Sequence, residues 1–165
     1  SPPTPEPTSS GLCKSDVISL QADTGRFVAR CHNCAPGATY PDSATVHIDT
    51  PVDHPYAQWI IHRMSNGKAA LQSVDSNKFL ARCSNCHPGG AYPDSAFVHV
   101  DFPDNAPWAQ WDIEVLTNDK VALRADSGRY LARCNNCVRG GAYADSVFVH
   151  STSSSDPWAQ FNVVC

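Results

Sequence analysis

Residues 20–49 read LQADTGRFVARCHNCAPGATYPDSATVHID, and two further segments of the chain are close copies of this stretch. The second copy, at residues 71–101, reads LQSVDSNKFLARCSNCHPGGAYPDSAFVHVD, and the third, at residues 123–151, reads LRADSGRYLARCNNCVRGGAYADSVFVHS. Each copy is followed by a related ending, which is YAQWII, WAQWDI or WAQFNV. The copies begin 51 and 52 residues apart, so the sequence repeats with a period of about 51 residues.

Each repeat alternates apolar and polar residues between turn signals, and this pattern predicts four short strands. In the first repeat we expect the strands at 17–22, 26–30, 45–49 and 58–62. In the second of these strands, Phe27 and Ala29 are expected on one face and Val28 on the other. No segment shows a sustained apolar period of 3.6 residues, so the predicted fold class is all-β.

Three repeats of four strands in 165 residues suit a β-trefoil, which is a six-stranded barrel capped by three hairpins around a pseudo-threefold axis. A three-bladed propeller is disfavoured because propellers normally have four or more blades. We expect a tail at residues 1–12 and a single domain at residues 13–165, with the repeats at about 13–64, 65–116 and 117–165. The predicted core layers are Leu20/Leu71/Leu123, Phe27/Phe79/Tyr130, Val46/Val98/Val149 and Trp59/Trp111/Phe161.

The motifs G-R-F-V-A, N-K-F-L-A and G-R-Y-L-A are each followed, about 30 residues later, by Trp-x-hydrophobic or by Phe161-Asn162-Val163. These motifs resemble those of the fascin-like branch of β-trefoils, over residues 12–165. Because they consist mostly of core and turn residues, the resemblance implies the fold and not a function. The Q-x-W sugar motif of ricin-type lectins is not matched, since Gln58-Trp59 and Gln110-Trp111 are adjacent.

The composition indicates which classes of partner are disfavoured and in which cellular compartment the protein is expected. Twelve Lys and Arg against 16 Asp and Glu give a net charge of -4, which argues against nucleic acid as a partner. No stretch approaches the run of about 20 apolar residues that spans a bilayer, so no membrane insertion is expected. The 8 cysteines and 13 prolines are typical of a rigid secreted domain, and they fit poorly with cytosolic, fascin-like actin bundling.

The cysteines predict structural disulfides. Six of them form three C-x-x-C pairs, and the other two lie near the two ends of the domain: Cys31/Cys34, Cys83/Cys86, Cys134/Cys137 and Cys13/Cys165. A redox C-x-x-C normally opens a helix in a βαβ unit, and no such unit is expected here. Zinc is disfavoured because the pairs lie about 51 residues apart and because His32 and His87 have no counterpart in the third repeat. We therefore expect no metal and no cofactor.

A set of polar and aromatic residues recurs in every repeat beside Arg30, Arg82 and Arg133. The predicted ligand-binding residues are Asn33, Tyr40, Asp42, His47, Asn85, Tyr92, Asp94, His99, Asn136, Tyr143, Asp145 and His150. One interpretation is turn chemistry, in which Asp and Ser cap the turn, Arg pairs with Asp, and His fills a hairpin face. The other is a sugar site in each loop, because an aromatic ring packs on the C–H face of a sugar while Asp and Asn bind its hydroxyls.

The alternative aromatic candidates are Tyr56, Trp108 and Trp158, each of which follows a proline. No G-x-S-x-G, H-E-x-x-H or nucleotide-binding loop occurs, so an enzyme is not expected. The sequence thus predicts a secreted, non-enzymatic module that binds glycans or glycoconjugates through three equivalent loop sites. The alternative is a structural subunit of an extracellular filament or matrix, which would self-associate through the tail SPPTPEPTSS at residues 1–10.

Overall fold

The computed structural model describes Cys13 and residues 15–165, so the predicted tail lies outside the described residues. The described part contains twelve strands and three 3-10 turns. The strands are β1 (Val17–Gln21), β2 (Phe27–His32), β3 (Asp42–Ile48), β4 (Trp59–Arg63), β5 (Ala69–Ser73), β6 (Phe79–Ser84), β7 (Asp94–Val100), β8 (Asp112–Val115), β9 (Val121–Arg124), β10 (Tyr130–Asn135), β11 (Asp145–Ser151) and β12 (Asn162–Val164). The 3-10 turns are η1 (Pro55–Ala57), η2 (Pro107–Ala109) and η3 (Pro157–Ala159). The predicted all-β class is confirmed.

Six strands close into a barrel through antiparallel pairing. β1 pairs with both β4 and β12, β4 pairs with β5, and β8 pairs with β9. Two isolated bridges complete the ring, because Ala69 pairs with Trp111 directly before β8 and Val121 pairs with Phe161 directly before β12. The ring runs β1–β4–β5–β8–β9–β12 and returns to β1, so these six strands do not expose an open sheet edge.

The other six strands form three antiparallel hairpins, β2–β3, β6–β7 and β10–β11, which we call the cap. The second strands of these hairpins also pair with one another in a cycle. The bridges between them join Ser43 to Phe97, Ser95 to Phe148 and Ser146 to Thr45. This cycle places loops that are about 51 residues apart in the sequence side by side in the structure.

The barrel core contains residues of all three repeats. Three of the predicted layers are buried together in it: Leu20/Leu71/Leu123, Val46/Val98/Val149 and Trp59/Trp111/Phe161. The indole N–H groups of Trp59 and Trp111 donate to the carbonyls of Val28 and Leu80 at 3.2 and 3.0 Å, so these buried donors are satisfied.

The predicted layer Phe27/Phe79/Tyr130 is also buried, but outside the barrel core. These rings belong to three small clusters that include buried alanines of the 3-10 turns, while Val28, Leu80 and Leu131 fill the barrel core. The alternation of side chains along β2 holds, but both of its faces are covered, one by the barrel and the other by η1. Alternation alone therefore did not identify which face points into the barrel.

The predicted disulfides are confirmed. Cys13–Cys165 joins the two ends of the domain across 152 residues, and Cys31–Cys34, Cys83–Cys86 and Cys134–Cys137 each close a cap loop. The long link restricts the unfolded chain, and the loop-entropy treatment assigns about 4–5 kcal/mol to a loop of this length. Within the described residues there is no free cysteine, no metal-ligating cluster of His, Cys, Asp or Glu, and no helix with the length and hydropathy of a membrane span.

Candidate functional site

The three C-x-x-C loops bond to one another around the centre of the cap. The N–H groups of Thr39, Ala91 and Ala142 donate to the carbonyls of Cys86, Cys137 and Cys34 at 3.0, 3.0 and 2.8 Å. Each loop thereby fixes the next, and each is closed by its own disulfide. The side chains that these loops carry are consequently held in place before any ligand arrives.

The predicted ligand residues Asn33, Asn85 and Asn136 have a structural role in these loops. Their φ angles are 58°, 60° and 59°, in the left-handed region that Asn tolerates better than most residues. Their N–H groups close the loops by donating to the carbonyls of residues 41, 93 and 144 at 2.7, 2.6 and 2.7 Å. Their side chains are exposed, so they stay candidates for ligand contact.

A half-buried arginine in each repeat binds two carboxylates. Arg30 donates through Nε and Nη2 to both oxygens of Asp75 at 2.9 and 2.5 Å, and through Nη1 to Asp42 at 3.0 Å. Asp75 belongs to the second repeat, so the arginine clamps two repeats together. The equivalent clamps are Arg82 with Asp126 and Asp94, and Arg133 with Asp23 and Asp145.

In each clamp one aspartate accepts two hydrogen bonds from the arginine, and these bonds keep its carboxylate ionised. Hydrogen bonds from the arginines lower the pKa of Asp23, Asp75 and Asp126 below the usual range. The predicted ligand residues Asp42, Asp94 and Asp145 each have one oxygen held by an arginine. The pairing of Arg with Asp, which the turn interpretation predicted, is present in every repeat.

The predicted Tyr and His residues meet across repeats and not within one repeat. The rings of Tyr40 and His99, Tyr92 and His150, and Tyr143 and His47 stack with centroids 4.3, 4.4 and 4.2 Å apart. The tyrosines keep 38%, 42% and 45% of their surface exposed. Burial lowers the pKa of all three histidines, to about 4 for His47, so their imidazoles are neutral at pH 7.

Each Tyr–His stack lies at a junction between two repeats, and we call these three junctions the cap clefts. The cleft between the second and third repeats has a volume of about 270 Å³ and is lined by Tyr92, Pro93, Asp94, Arg129, Val149 and His150. At the other two junctions the stacked rings are Tyr40 with His99 and Tyr143 with His47; burial lowers the pKa of these histidines, and Lys78 and Arg26 are close enough to lower it further. The residues equivalent to Asp94 in the repeat are Asp42 and Asp145. Each cleft thus combines an aromatic ring, a carboxylate, a neutral imidazole and a cation.

The cap clefts differ in how the imidazole is held. Thr45 Oγ1 hydrogen-bonds to His47 Nδ1, but Phe97 and Phe148 occupy the positions equivalent to Thr45. The Nδ1 atoms of His99 and His150 are therefore buried without a hydrogen-bond partner among the described residues. His87 Nδ1 is in the same condition, with its ring 4.6 Å from the Phe97 ring and 5.4 Å from the Phe148 ring.

Sequence reasoning missed three clefts on the side of the barrel, which we call the flank clefts. The largest, of about 470 Å³, includes Asn66, Phe79, Asp104 and Gln110, and the others measure about 330 and 270 Å³. Gln110 donates to the carbonyl of Pro103 at 2.7 Å and accepts from Asn66 at 2.9 Å. The sequence feature that could have indicated these clefts is the Ala-Gln pair that precedes Trp or Phe in each repeat. The hydrogen bonds of Gln110 indicate that this glutamine holds the adjacent loops in place.

The alternative aromatic candidates lie on the 3-10 turns. Trp108 and Trp158 are exposed, whereas Tyr56 is partly buried against the Phe27 cluster and meets the His54 ring edge-on at 5.3 Å. None of the three residues lines the cap cleft between the second and third repeats. They are therefore a separate aromatic set on the molecule.

The sequence matches no protein-family model and no curated protein. Solved structures do match. The designed threefold-symmetric protein ThreeFoil superposes with a TM-score of 0.67 at 15% identity, over 92% of this chain and 99% of that one. The SDF2-like protein of Arabidopsis thaliana gives 0.70 at 12% identity, over 90% and 91% of the two chains.

A lectin of Polyporus squamosus gives a TM-score of 0.65 at 12% identity, over 90% of this chain and 48% of the lectin chain. These neighbours are β-trefoil-like proteins, and at such low identity the likeness shows the fold alone. The chain therefore has a β-trefoil-like fold, and the resemblance predicted from the sequence is confirmed at the level of the fold.

Proposed function

We propose that this β-trefoil-like chain is a secreted, non-enzymatic carbohydrate-binding module whose sites are the three cap clefts. In this proposal the domain consists of three equivalent units of about 51 residues with four strands each, at about 13–64, 65–116 and 117–165. Four disulfides favour an oxidising, extracellular compartment. The presence of a lectin among the structural neighbours supports glycans or glycoconjugates as the ligand class.

The observation that carries the proposal is the tyrosine of each cap cleft. Each ring is stacked on an imidazole of the next repeat, yet about 40% of the residue is exposed. A ring fixed in this way offers an apolar surface for the C–H face of a sugar without losing conformational freedom on binding. The carboxylate and the cation beside it supply an acceptor and donors for the sugar hydroxyls.

Three such sites on one rigid domain would act together. A single shallow cleft is expected to bind one sugar weakly, but a ligand that presents several sugars engages a second cleft at a high effective concentration. The arginine clamps and the bonded loops fix the relative positions of the clefts. Glycans with repeated terminal sugars are therefore the ligands for which this arrangement is best suited.

The test is a glycan array probed with the native protein and with the triple variant Tyr40→Ala, Tyr92→Ala, Tyr143→Ala. The tyrosines are preferred to the aspartates because removing Asp42 or its equivalents would also disturb an arginine clamp. The matched control is Phe102→Ala, since Phe102 is 81% exposed and does not line the cap cleft between the second and third repeats.

We expect the native protein and the control to bind the same glycans and the triple variant to lose binding while its thermal unfolding stays cooperative. If the native protein bound no glycan on a broad array, the proposal would be refuted. Binding that survives in the triple variant but disappears in Trp108→Ala, Trp158→Ala would move the site to the 3-10 turns.

A second candidate function is assembly through residues 1–12. One flank cleft, of about 270 Å³, is lined by Val17, Val52, Val164 and Cys165, and Cys165 is bonded to Cys13, which follows this segment in the sequence. Val52 is strongly exposed there, so the cleft offers apolar surface for a Pro-rich segment of another copy. Sedimentation of the chain, of a variant lacking residues 1–12 and of Val52→Asp tests this. Assembly that both changes abolish supports the proposal, and a native monomer at high concentration contradicts it.

A further inference from the structure

The three cap clefts differ in the partner of their cation. Arg26 pairs with Asp49 at 3.1 Å, and Lys78 pairs with Asp101 at 3.0 Å. Each acid follows the cleft histidine by two residues in the sequence, and the third repeat has Thr152 at that position. Arg129 consequently has no ion-pair partner within the described part of the chain. Arg129 is one of the residues that line the cleft between the second and third repeats.

We infer that this cleft binds an acidic sugar, in which a carboxylate or sulfate group pairs with Arg129 while the sugar ring packs on Tyr92. The inference rests on the proposed function and specifies the ligand class of one of its three sites. An arginine can bind either anion through two parallel N–H···O bonds. In the other two clefts the cation already forms an ion pair with an aspartate of the protein, so we expect these clefts to bind neutral sugars.

The remaining acids around this cleft do not satisfy Arg129. Asp94 lines the cleft, but Arg82 holds its carboxylate at 3.3 Å. Asp156 lies near enough to His150 to act against the lowering of its pKa that burial causes, yet its Oδ2 accepts from the Ser151 hydroxyl at 2.6 Å. Neither acid forms an ion pair with Arg129, so no carboxylate of the described residues neutralises the arginine.

Because the chain carries a net negative charge, binding of an anionic ligand depends on the cation inside the cleft. A net charge of -4 repels an anionic ligand in general, so a preference for acidic sugars has to originate from a specific contact. A charge-assisted pair with Arg129 is strong enough to change affinity by about tenfold. Because the cleft is open to solvent, the preference should weaken as salt is raised.

The experiment compares three probes that share one oligosaccharide backbone: the neutral form, a form with a terminal uronate and a form with a terminal sulfate. Calorimetric titration measures each probe against the native chain and the variants Arg129→Gln, Thr152→Asp and Arg139→Gln. Arg139 is the matched control, because it is an exposed arginine of the same repeat that does not line the cleft. The uronate and sulfate arms identify which anion the cleft prefers.

We expect the native chain to bind at least one acidic probe about tenfold more tightly than the neutral one. Arg129→Gln should lose this preference, so that it binds the acidic and the neutral probes with about the same affinity. Thr152→Asp should reduce it too, since it supplies Arg129 with the acid present in the other repeats. Equal binding of all probes by the native chain, or equal losses in Arg129→Gln and Arg139→Gln, would overturn the inference and leave the proposed function intact. No binding of any probe would overturn both.

Discussion

Two sets of cations lie four residues apart in each repeat, one within the first strand of each cap hairpin and the other directly before that strand. The inner arginines, Arg30, Arg82 and Arg133, have side chains only 18–20% exposed, and each binds two carboxylates. The outer cations, Arg26, Lys78 and Arg129, lie further into solvent, with Arg26 55% and Lys78 45% exposed, and they bind one carboxylate or none. The inner set is identical in all three repeats, whereas the outer set varies in residue type and in partner.

The difference follows from the cost of removing charge from water. A half-buried arginine without its carboxylates would lose hydration and gain nothing in return, so every inner position needs both partners. An exposed pair contributes little to stability, so its acid can be absent without harm to the fold. The outer positions are therefore where the repeats can differ in ligand binding while the cap stays the same.

The largest expected effect is the loss of an inner arginine. Arg82→Met leaves Asp126 and Asp94 close together without their cation, and it removes a link between the second and third repeats. We expect the free energy of unfolding in urea to fall by about 2 kcal/mol, less than for a fully buried pair because the site is partly hydrated. Arg129→Met at an outer position should stay within about 0.5 kcal/mol of the native value. Equal losses would show that burial does not separate the two sets.

Acid titration distinguishes the histidines of the cap from the inner clamps. Burial lowers the pKa of His47 and His87 from 6.5 to about 4, and for His47 the outer cation Arg26 adds to the effect. Well above pH 6.5 these groups are neutral in both the folded and the unfolded state. Below that pH the unfolded chain binds protons first, so stability falls until about pH 4. Hydrogen bonds from the arginines lower the pKa of the clamp aspartates, so their contribution to stability is lost as the pH falls through the acidic range in which these carboxylates protonate.

The variant His87→Leu tests this assignment. Leucine keeps an apolar side chain between Phe97 and Phe148 and removes the unpartnered Nδ1. We expect about 1 kcal/mol more stability than the native chain at pH 5, and a smaller advantage at pH 7, measured by urea unfolding at both values. His32→Gln, at an exposed position, is the control. An advantage that is the same at both pH values would attribute the gain to packing and not to protonation.

The sequence was sufficient for the fold because the repeat period, the alternation and the cysteine pairs all indicated the same architecture. It was not sufficient for the composition of the sites. A residue that recurs every 51 residues has three equivalent partners in the sequence, so Tyr40 could face His47, His99 or His150. Only the pairing of the cap strands decides that it meets His99. The internal repeat therefore predicts which residues are equivalent, but it does not predict which of the equivalent residues are in contact.

The same limit applies to the location of the layer Phe27/Phe79/Tyr130 and to the second carboxylate of each clamp. Phe27 and Val28 are both buried, and the face that points into the barrel depends on η1, whose position the alternation does not encode. Arg30 was expected to pair with an aspartate, and Asp42 on the partner strand fulfils this. Asp75 lies 45 residues away, in a turn of the next repeat, and no spacing rule indicates that contact.

The smallest expected effect is the most direct comparison of the two sets, because it restores the missing pair of the third repeat. Thr152→Asp places an acid opposite Arg129 as Asp49 does for Arg26, and an exposed pair of this kind is worth about 0.3 kcal/mol. Asp49→Asn and Asp101→Asn should each cost a similar amount, and all three differences should vanish in 1 M salt. A gain above about 1 kcal/mol for Thr152→Asp would mean that Arg129 is strained by the absence of a partner. A small, salt-sensitive gain instead shows that this arginine can lack a protein partner at almost no cost to the fold, which is the condition for binding the acid of a ligand.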